Sequence, residues 1–248
     1  MIKVTKDMKA LEIFNNVCDE TIEIILEQGE IRKYSKDTIV FYDKEEVTDI
    51  YIVISGTVSL YKLNENGQKK VIFILGEGKV VNEVIIKELP ASINCRAFEN
   101  AELLKINKNK LLEIMKYDFE LCKNIIISLS MKTRRMYRQL KNTPPSIKIE
   151  KKLAAKIYKL GRDYGVKTQE GILIKMNLTV TYLADLLGSQ RETVSRALKL
   201  LQDKKLIFYK DKNILIYDLN KISEFFKKAE TFLQSSVTTV VQRSMRKN

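Results

Sequence analysis

Histidine and tryptophan are absent from this 248-residue chain, and proline, cysteine and glycine are scarce at 3, 3 and 9 residues. Without histidine, and with no glycine-rich phosphate loop or cluster of carboxylates in view, no catalytic set can be assembled, so an enzyme is not expected. Cys18, Cys95 and Cys122 are odd in number and far apart, which is the usage of a reduced cytosolic protein rather than of a disulfide framework. Three thiols also fall short of the four that an iron–sulfur cluster takes, which excludes that cofactor. No segment approaches the ~20 apolar residues of a membrane span, and charge interrupts the N-terminal MIKVTKDMKALEIF, so a cytoplasmic location and no membrane partner are expected.

What is abundant is positive charge, and it is unevenly placed. The chain carries a formal net charge of +13; residues 1–120 hold 17 Lys+Arg against 21 Asp+Glu, whereas residues 121–248 hold 27 against 10. A basic half joined to a mildly acidic one fits a polyanion-binding module fused to a module that need not touch the polyanion. The length, with 45% hydrophobic residues, suits two domains.

Between Ile31 and Ile106 the pattern predicts strands: IVFY (39–42), DIYIVISG (49–56), TVSLYKL (57–63), KKVIFIL (69–75), ASINCRAF (91–98) and AELLKI (101–106). Asn66-Gly67 lies between two of them as a hairpin turn whose residues both tolerate positive φ. Short strands at this spacing imply a sandwich or barrel. Helical periodicity flanks them at residues 8–28 and 108–142, the second capped by Asn107. In it Leu121, Ile125, Leu129, Met136 and Leu140 recur at four or seven, interrupted by Lys132, a stripe that could meet either its own domain or a partner helix. Pro144-Pro145 ends that helix and marks the domain boundary. Beyond it, a helix bearing Lys148, Lys151, Lys152, Lys156 and Lys159 spans 147–164, strands ILIKM (172–176), LIFYK (206–210) and ILIYD (214–218) bracket two helices, and residues 219–245 are helical with an apolar face.

The informative stretch is LTVTYLADLLGSQRETVSRALKLL, residues 178–201. Thr179 can cap a first helix with Val180, Leu183, Ala184 and Leu187 facing in; Gly188 supplies the left-handed stop; Ser189 opens a second helix with Val194, Leu198 and Leu201 facing in. Two short helices joined by a glycine-containing turn are a helix-turn-helix, and the small Ala184 permits their close crossing. The second helix turns Gln190, Arg191, Glu192, Ser195, Arg196 and Lys199 outward. Arginine can donate twice to guanine, glutamate can accept from cytosine, and serine can do either, mainly from the first turns of such a helix. Glu192 has a second reading as the far end of a capping box begun by Ser189.

The segment SQRETVSRALKLLQDKKLI resembles the recognition helix of the cyclic-AMP receptor protein and fumarate-nitrate regulator (Crp/Fnr) superfamily, and the strand pair after it resembles the family's wing. Arg191, Glu192 and Arg196 match base-contacting positions of the Crp branch, and Glu192, Ser195 and Arg196 those of the Fnr branch. Upstream, DIYIVISGTVSLYKLNENGQKKVIFILGEGKVVNEV resembles the family's β-roll, with Gly56, Gly67 and Gly78 at its glycine positions and Asp43 where another glycine is usual. The resemblance, from about Leu11 to Asp218, implies an α+β chain. It would comprise an N-terminal β-roll sensor, the cyclic-nucleotide-binding-like jelly roll (1–117), a long dimerisation helix (118–143), a C-terminal winged helix-turn-helix (144–220) and a helical extension (221–248). It implies a homodimer that binds a palindromic double-stranded DNA site with Thr179, Ser189, Gln190, Arg191, Glu192, Ser195, Arg196 and Lys199 in the interface, and RNA polymerase as a partner.

For the sensor, the resemblance places Asn82, Glu83 and Ser92 at effector-pocket positions, Asn82-Glu83 where cyclic-AMP binders carry Gly-Glu and Ala91-Ser92 where they carry Arg-Ser. A buried phosphate without that arginine loses its charge-assisted partner, so tight cyclic-AMP binding is not expected. Haem would have to be held by Cys, Met or Tyr. Another metabolite, a redox-active thiol such as Cys95 or Cys122, or constitutive activity are the other readings. A cyclic-nucleotide-binding-like regulatory subunit acting by protein contact is the rival function, and the helix-turn-helix and basic half weigh against it.

Overall fold

A computed structural model of the chain describes residues 8–83, 88–141 and 147–227, without the side chains of residues 140 and 141. The chain divides into two units, Met1–Gln139 and Leu140–Asn248.

In the first unit, a 3₁₀ turn (Glu12–Phe14) and helix α1 (Asp19–Gln28) lead into strands β1 (Glu30–Tyr34), β2 (Ile39–Phe41), β3 (Asp49–Ser55), β4 (Val58–Leu63), β5 (Lys69–Leu75), β6 (Asn94–Ala97) and β7 (Ala101–Asn107). They form two antiparallel sheets, ordered β1-β7-β3 and β2-β6-β4-β5. The unbroken apolar run of β3 is explained by burial on both faces. Side chains alternate along a strand, so Ile50 and Ile52 face a helical layer with Phe14, Ile22 and Leu121, while Tyr51 and Val53 face the second sheet with Phe41, Leu60 and Phe73. On β7, Leu104 and Ile106 divide from Ala101 and Leu103 in the same way.

Two strands had no sequence signal. β1 is exposed along nearly its whole length and β8, introduced below, is exposed throughout, so neither carries an apolar alternation. The hairpin at Asn66-Gly67 also differs from expectation: only Gly67 has positive φ, and the loop is closed by Asn64, whose side-chain oxygen accepts from the N–H of Asn66 and Gln68. Gly56 is required by close approach, since a Cβ there would lie 2.2 Å from the carbonyl oxygen of Asn100.

The helical stretch expected over 108–142 is two helices, α2 (Lys108–Tyr117) and α3 (Phe119–Lys141), parted at Asp118. Asn107 caps α2 as expected, accepting from the N–H of Asn109 and Lys110. Asp118 starts α3 in the same manner, its carboxylate accepting from the Leu121 N–H at 3.1 Å and from the backbone N–H and thiol of Cys18 at 3.2 Å. On α3, Leu121 and Ile125 are buried and Leu129 is packed against the helical-layer core of the same unit. The expected stripe thus serves its own domain over those residues, while Met136 is exposed. A second stripe, not named from sequence, stands out from the opposite side of α3: Phe119, Ile126, Ile127, Met131 and Tyr137.

The second unit contains α4 (Ile149–Tyr164), β8 (Val166–Thr168), β9 (Gly171–Ile174), α5 (Val180–Leu187), α6 (Arg191–Asp203), β10 (Ile207–Lys210) and β11 (Asn213–Ile216), its sheet ordered β10-β11-β9-β8. Leu153, Ala154 and Ile157 of α4 are buried with Leu183 and Leu198 of the two following helices. Residues 219–227 are helical; Ile222 is buried and the Phe226 ring meets Tyr158 edge-on at 5.5 Å. The expected remainder of that helix and the prolines Pro144-Pro145 lie outside the described residues.

Candidate nucleic-acid interface

Helix α5 begins where the sequence placed its cap: the Thr179 hydroxyl accepts from the Tyr182 N–H at 3.1 Å. Its buried face is rotated from expectation. Tyr182, Leu183, Ala184 and Leu186 are buried, while Val180 and Leu187 are half-buried, because α5 is covered on two sides. Gly188 takes φ +59° and donates back to the Ala184 and Asp185 carbonyls, and the Ser189 N–H donates to the Ala184 carbonyl at 3.1 Å, which closes the helix.

The second helix, α6, starts at Arg191 with Gln190 as its cap residue, two positions after the expected opening at Ser189. No side-chain cap hydrogen bond forms there, so the capping-box reading of Glu192 does not hold. Glu192 instead faces Arg196 one turn on, carboxylate to guanidinium at 3.8 Å, with both side chains more than 80% exposed. Val194, Ala197, Leu198 and Leu201 are buried. Gln190, Arg191, Glu192, Ser195, Arg196 and Lys199 are all exposed, and Thr179 at the start of α5 and Ser189 at the turn are half-buried. The described geometry thus brings six of the eight expected residues to one solvent-facing side of a single helix start. Beside it, β10 and β11 form a hairpin through Asp211 and Lys212, both at positive φ (51° and 63°), and Lys204, Lys205, Lys210 and Lys212 are exposed around it.

The three sensor candidates are placed differently from one another. Asn82 is buried, its amide oxygen accepting from the Tyr51 N–H at 3.0 Å and its amide nitrogen donating to the Asp49 carbonyl at 2.7 Å. It holds β3 to the segment that follows β5, a structural duty that engages both ends of its amide. Glu83 and Ser92 are exposed and joined to each other, the serine hydroxyl donating to the carboxylate.

Sequence reasoning passed over Lys132, treating it as an interruption of a stripe. It lies on the inward side of α3 and donates to the Val81 carbonyl at 2.9 Å. Burial pulls its amine down to about 8, with Glu83 and Cys95 opposing that shift. A lysine at a position whose period points it at its own core was the available signal. Cys95 is fully buried between the sheets, and burial pushes its thiol well up, which removes the thiolate that a redox sensor needs. The reading of Cys95 as a redox-active thiol is therefore corrected. Among the described residues no group of three or more Cys, Asp or Glu could hold a metal ion, and no helix is long and apolar enough to cross a membrane.

Residues 31–118 match the cyclic nucleotide-binding domain model, and residues 151–225 match the Crp-like helix-turn-helix domain model. The HTH-type transcriptional regulator ArcR of Staphylococcus epidermidis is 29% identical over 203 residues, covering 75% of this chain and 81% of that protein. The anaerobic regulatory protein of Bacillus subtilis is 28% identical over 178 residues, covering 71% and 74%. Among solved structures, the c-di-GMP responsive global regulator CLP of Xanthomonas campestris shares the fold at a TM-score of 0.71 and 22% identity, covering 81% of this chain and 100% of that one. With a β-rich cyclic nucleotide-binding domain, a long helix and a Crp-like helix-turn-helix in that order, the chain belongs to the Crp/Fnr superfamily of transcription regulators.

Proposed function

We propose that two copies of this chain pair through α3 and set their α6 helices into successive major grooves of a palindromic site, about one DNA turn (~34 Å) apart. The observation that carries the reading is the exposed set on α6: Arg191, Glu192, Ser195 and Arg196 sit in its first turns, where base edges are read. Gln190, Lys199, the α5 cap residue Thr179 and the turn residue Ser189 are assigned phosphate contacts that would fix the register. Glu192 and Arg196 are each more than 80% exposed, which leaves the guanidinium open to a guanine edge and the carboxylate open to a cytosine amine.

Pairing through α3 is supported by its outward stripe. Phe119, Ile126 and Tyr137 recur after 7 and 18 residues, which returns each to nearly the same side at 3.6 residues per turn, and in a single chain all three are exposed to water. A small effector other than cyclic AMP acts through the β-roll, Glu83 and Ser92 being the polar groups open to it, with Ala91 standing where a phosphate-binding arginine would be needed. RNA polymerase is the partner through which a bound dimer would alter transcription.

Selection from a random duplex pool, run with and without cell extract, tests the reading. Two inverted copies of one half-site should be enriched, and extract should change the yield if an effector is required. Failure to enrich any sequence in either arm would overturn it. Salt-sensitive retention on random duplex DNA separates it from a subunit acting by protein contact.

A further inference from the structure

Apolar packing sets how deeply α6 is seated but is non-directional, so it resists rotation of the helix about its own axis only weakly. Side-chain tips lie about 5–6 Å from a helix axis, and a turn of about 20° therefore displaces them by about 2 Å, enough to break hydrogen-bond geometry with a base edge. Something directional has to fix the azimuth of a recognition helix. In this chain the directional contacts converge on one residue of the wing.

Tyr209 lies on β10, an edge strand whose outward N–H has no strand to pair with among the described residues. That N–H donates to Oε1 of Gln202 in the last turn of α6, at 3.0 Å. The hydroxyl of the same tyrosine donates to the carbonyl of Leu178 at 2.9 Å, next to the Thr179 cap of α5. Leu178 is fully buried, and its own N–H donates to the carbonyl of Lys212 in the wing turn at 2.6 Å. A single wing residue thus ties the end of the second helix to the start of the first, and a second backbone bond closes the loop through the wing tip. Burial holds the Tyr209 phenol above its ordinary value, so it remains a hydrogen-bond donor across the working pH range.

We infer that Tyr209, with Gln202 as its partner on α6, is a positioning residue for base recognition: it fixes the rotation of the recognition helix and thereby sequence discrimination, without touching DNA. The inference rests on the assignment of α6 as the reading helix.

The test uses the full-length protein and two duplexes, the half-site pair recovered by selection and a shuffled sequence of equal composition, with affinities measured by anisotropy at several salt concentrations. Tyr209→Phe removes only the hydroxyl, Gln202→Met removes the acceptor, and Gln202→Glu keeps an acceptor oxygen in place. Tyr209→Phe and Gln202→Met should each lower the ratio of specific to shuffled affinity about threefold to tenfold, the worth of one hydrogen bond. Shuffled binding and its salt slope should stay at wild-type values, and Gln202→Glu should retain the wild-type ratio. A residue that serves stability alone would lower the melting temperature, or both affinities in step, and leave the ratio unchanged; either result overturns the inference. If the wild-type protein itself fails to tell the two duplexes apart, the reading of α6 falls and the inference with it, whereas discrimination unchanged in Tyr209→Phe sinks the inference alone.

Discussion

Helices α3 and α6 are both amphipathic and both bury apolar residues in their own domain, but they differ in what else faces in and what stands outside. On α6 the apolar residues Val194, Ala197, Leu198 and Leu201 face in and the charges face water. On α3 a lysine and a glutamine are turned inward, Lys132 to the Val81 carbonyl and Gln139 to the Ile72 carbonyl at 2.8 Å, while Phe119, Ile126 and Tyr137 stand outside. A helix that spends polar groups on its own domain and keeps aromatic and β-branched residues outside has its free-energy gain still to come, from another apolar surface. One that turns Val194, Ala197, Leu198 and Leu201 inward and presents arginine, glutamate and serine offers its outer face to a polar, charged partner. On the proposed reading, the contrast is that between a surface for protein and a surface for nucleic acid within one chain.

The comparison breaks most sharply at Ile126. Ile126→Asp puts a charge in the centre of the outward stripe and removes nothing from the core, since the side chain is 54% exposed in the single chain. The variant should sediment as a monomer with an unchanged melting temperature at low concentration. Affinity for the two-half-site duplex should fall about 100-fold or more, because the second half-site no longer binds at the effective concentration that pairing supplies. A dimer that persists in sedimentation would show that the stripe is not the pairing face.

A smaller effect is expected on α6, and it should be selective. Arg191→Ala should cost about 1–3 kcal/mol at one base pair and relax preference there, whereas Lys152→Ala on α4 should weaken binding alike for all sequences and reduce the salt slope. Selection repeated with each variant reads both at once. Equal and uniform losses would remove Arg191 from the base-reading set.

How much of this was legible in the sequence follows from which signals are local. The caps at Thr179 and Asn107 and the stop at Gly188 were readable because each depends on one residue and its immediate backbone. The strands β3, β5 and β7 were readable because burial on both faces leaves an apolar run. β1 and β8 were hidden, since an exposed edge strand is held by backbone hydrogen bonds that leave no mark in side-chain chemistry. Helix faces fared worst. Leu186 is buried and Leu187 only half-buried, the reverse of the expected facing, and on α3 Leu121, Ile125 and Leu129 of the named stripe pack on their own domain while Met136 is exposed and the outward stripe went unnamed. Periodicity gives the existence of a face; which neighbour covers it is decided by tertiary packing. The wing turn makes the same point: Asp211 and Lys212 both adopt positive φ without a glycine, whereas Asn66-Gly67, the stronger sequence signal, uses only one such residue.

The smallest effect is expected at Lys132, on the inward side of α3. Lys132 titrates near 10.5 when exposed and is pulled down to about 8 in the folded chain by burial. Below about pH 8 the amine is charged in both folded and unfolded states, and the folded state bears the whole cost of desolvating it. Between pH 8 and 10.5 the folded chain releases the proton while the unfolded chain keeps it, so the unfolded state binds more protons and this group's contribution to stability rises with pH. Lys132→Met keeps the side chain's length, removes the charge, and gives up one hydrogen bond to Val81. The variant should melt above wild type near pH 7, and the difference should shrink through pH 8 to 10 as wild type sheds its handicap. Tyrosines that titrate high are common to both proteins and cancel in the difference. A difference that stays flat over that window would mean the amine is not held in a desolvating site, and Lys132 would then be a solvated charge like those on the outer face of α6, which removes that part of the contrast.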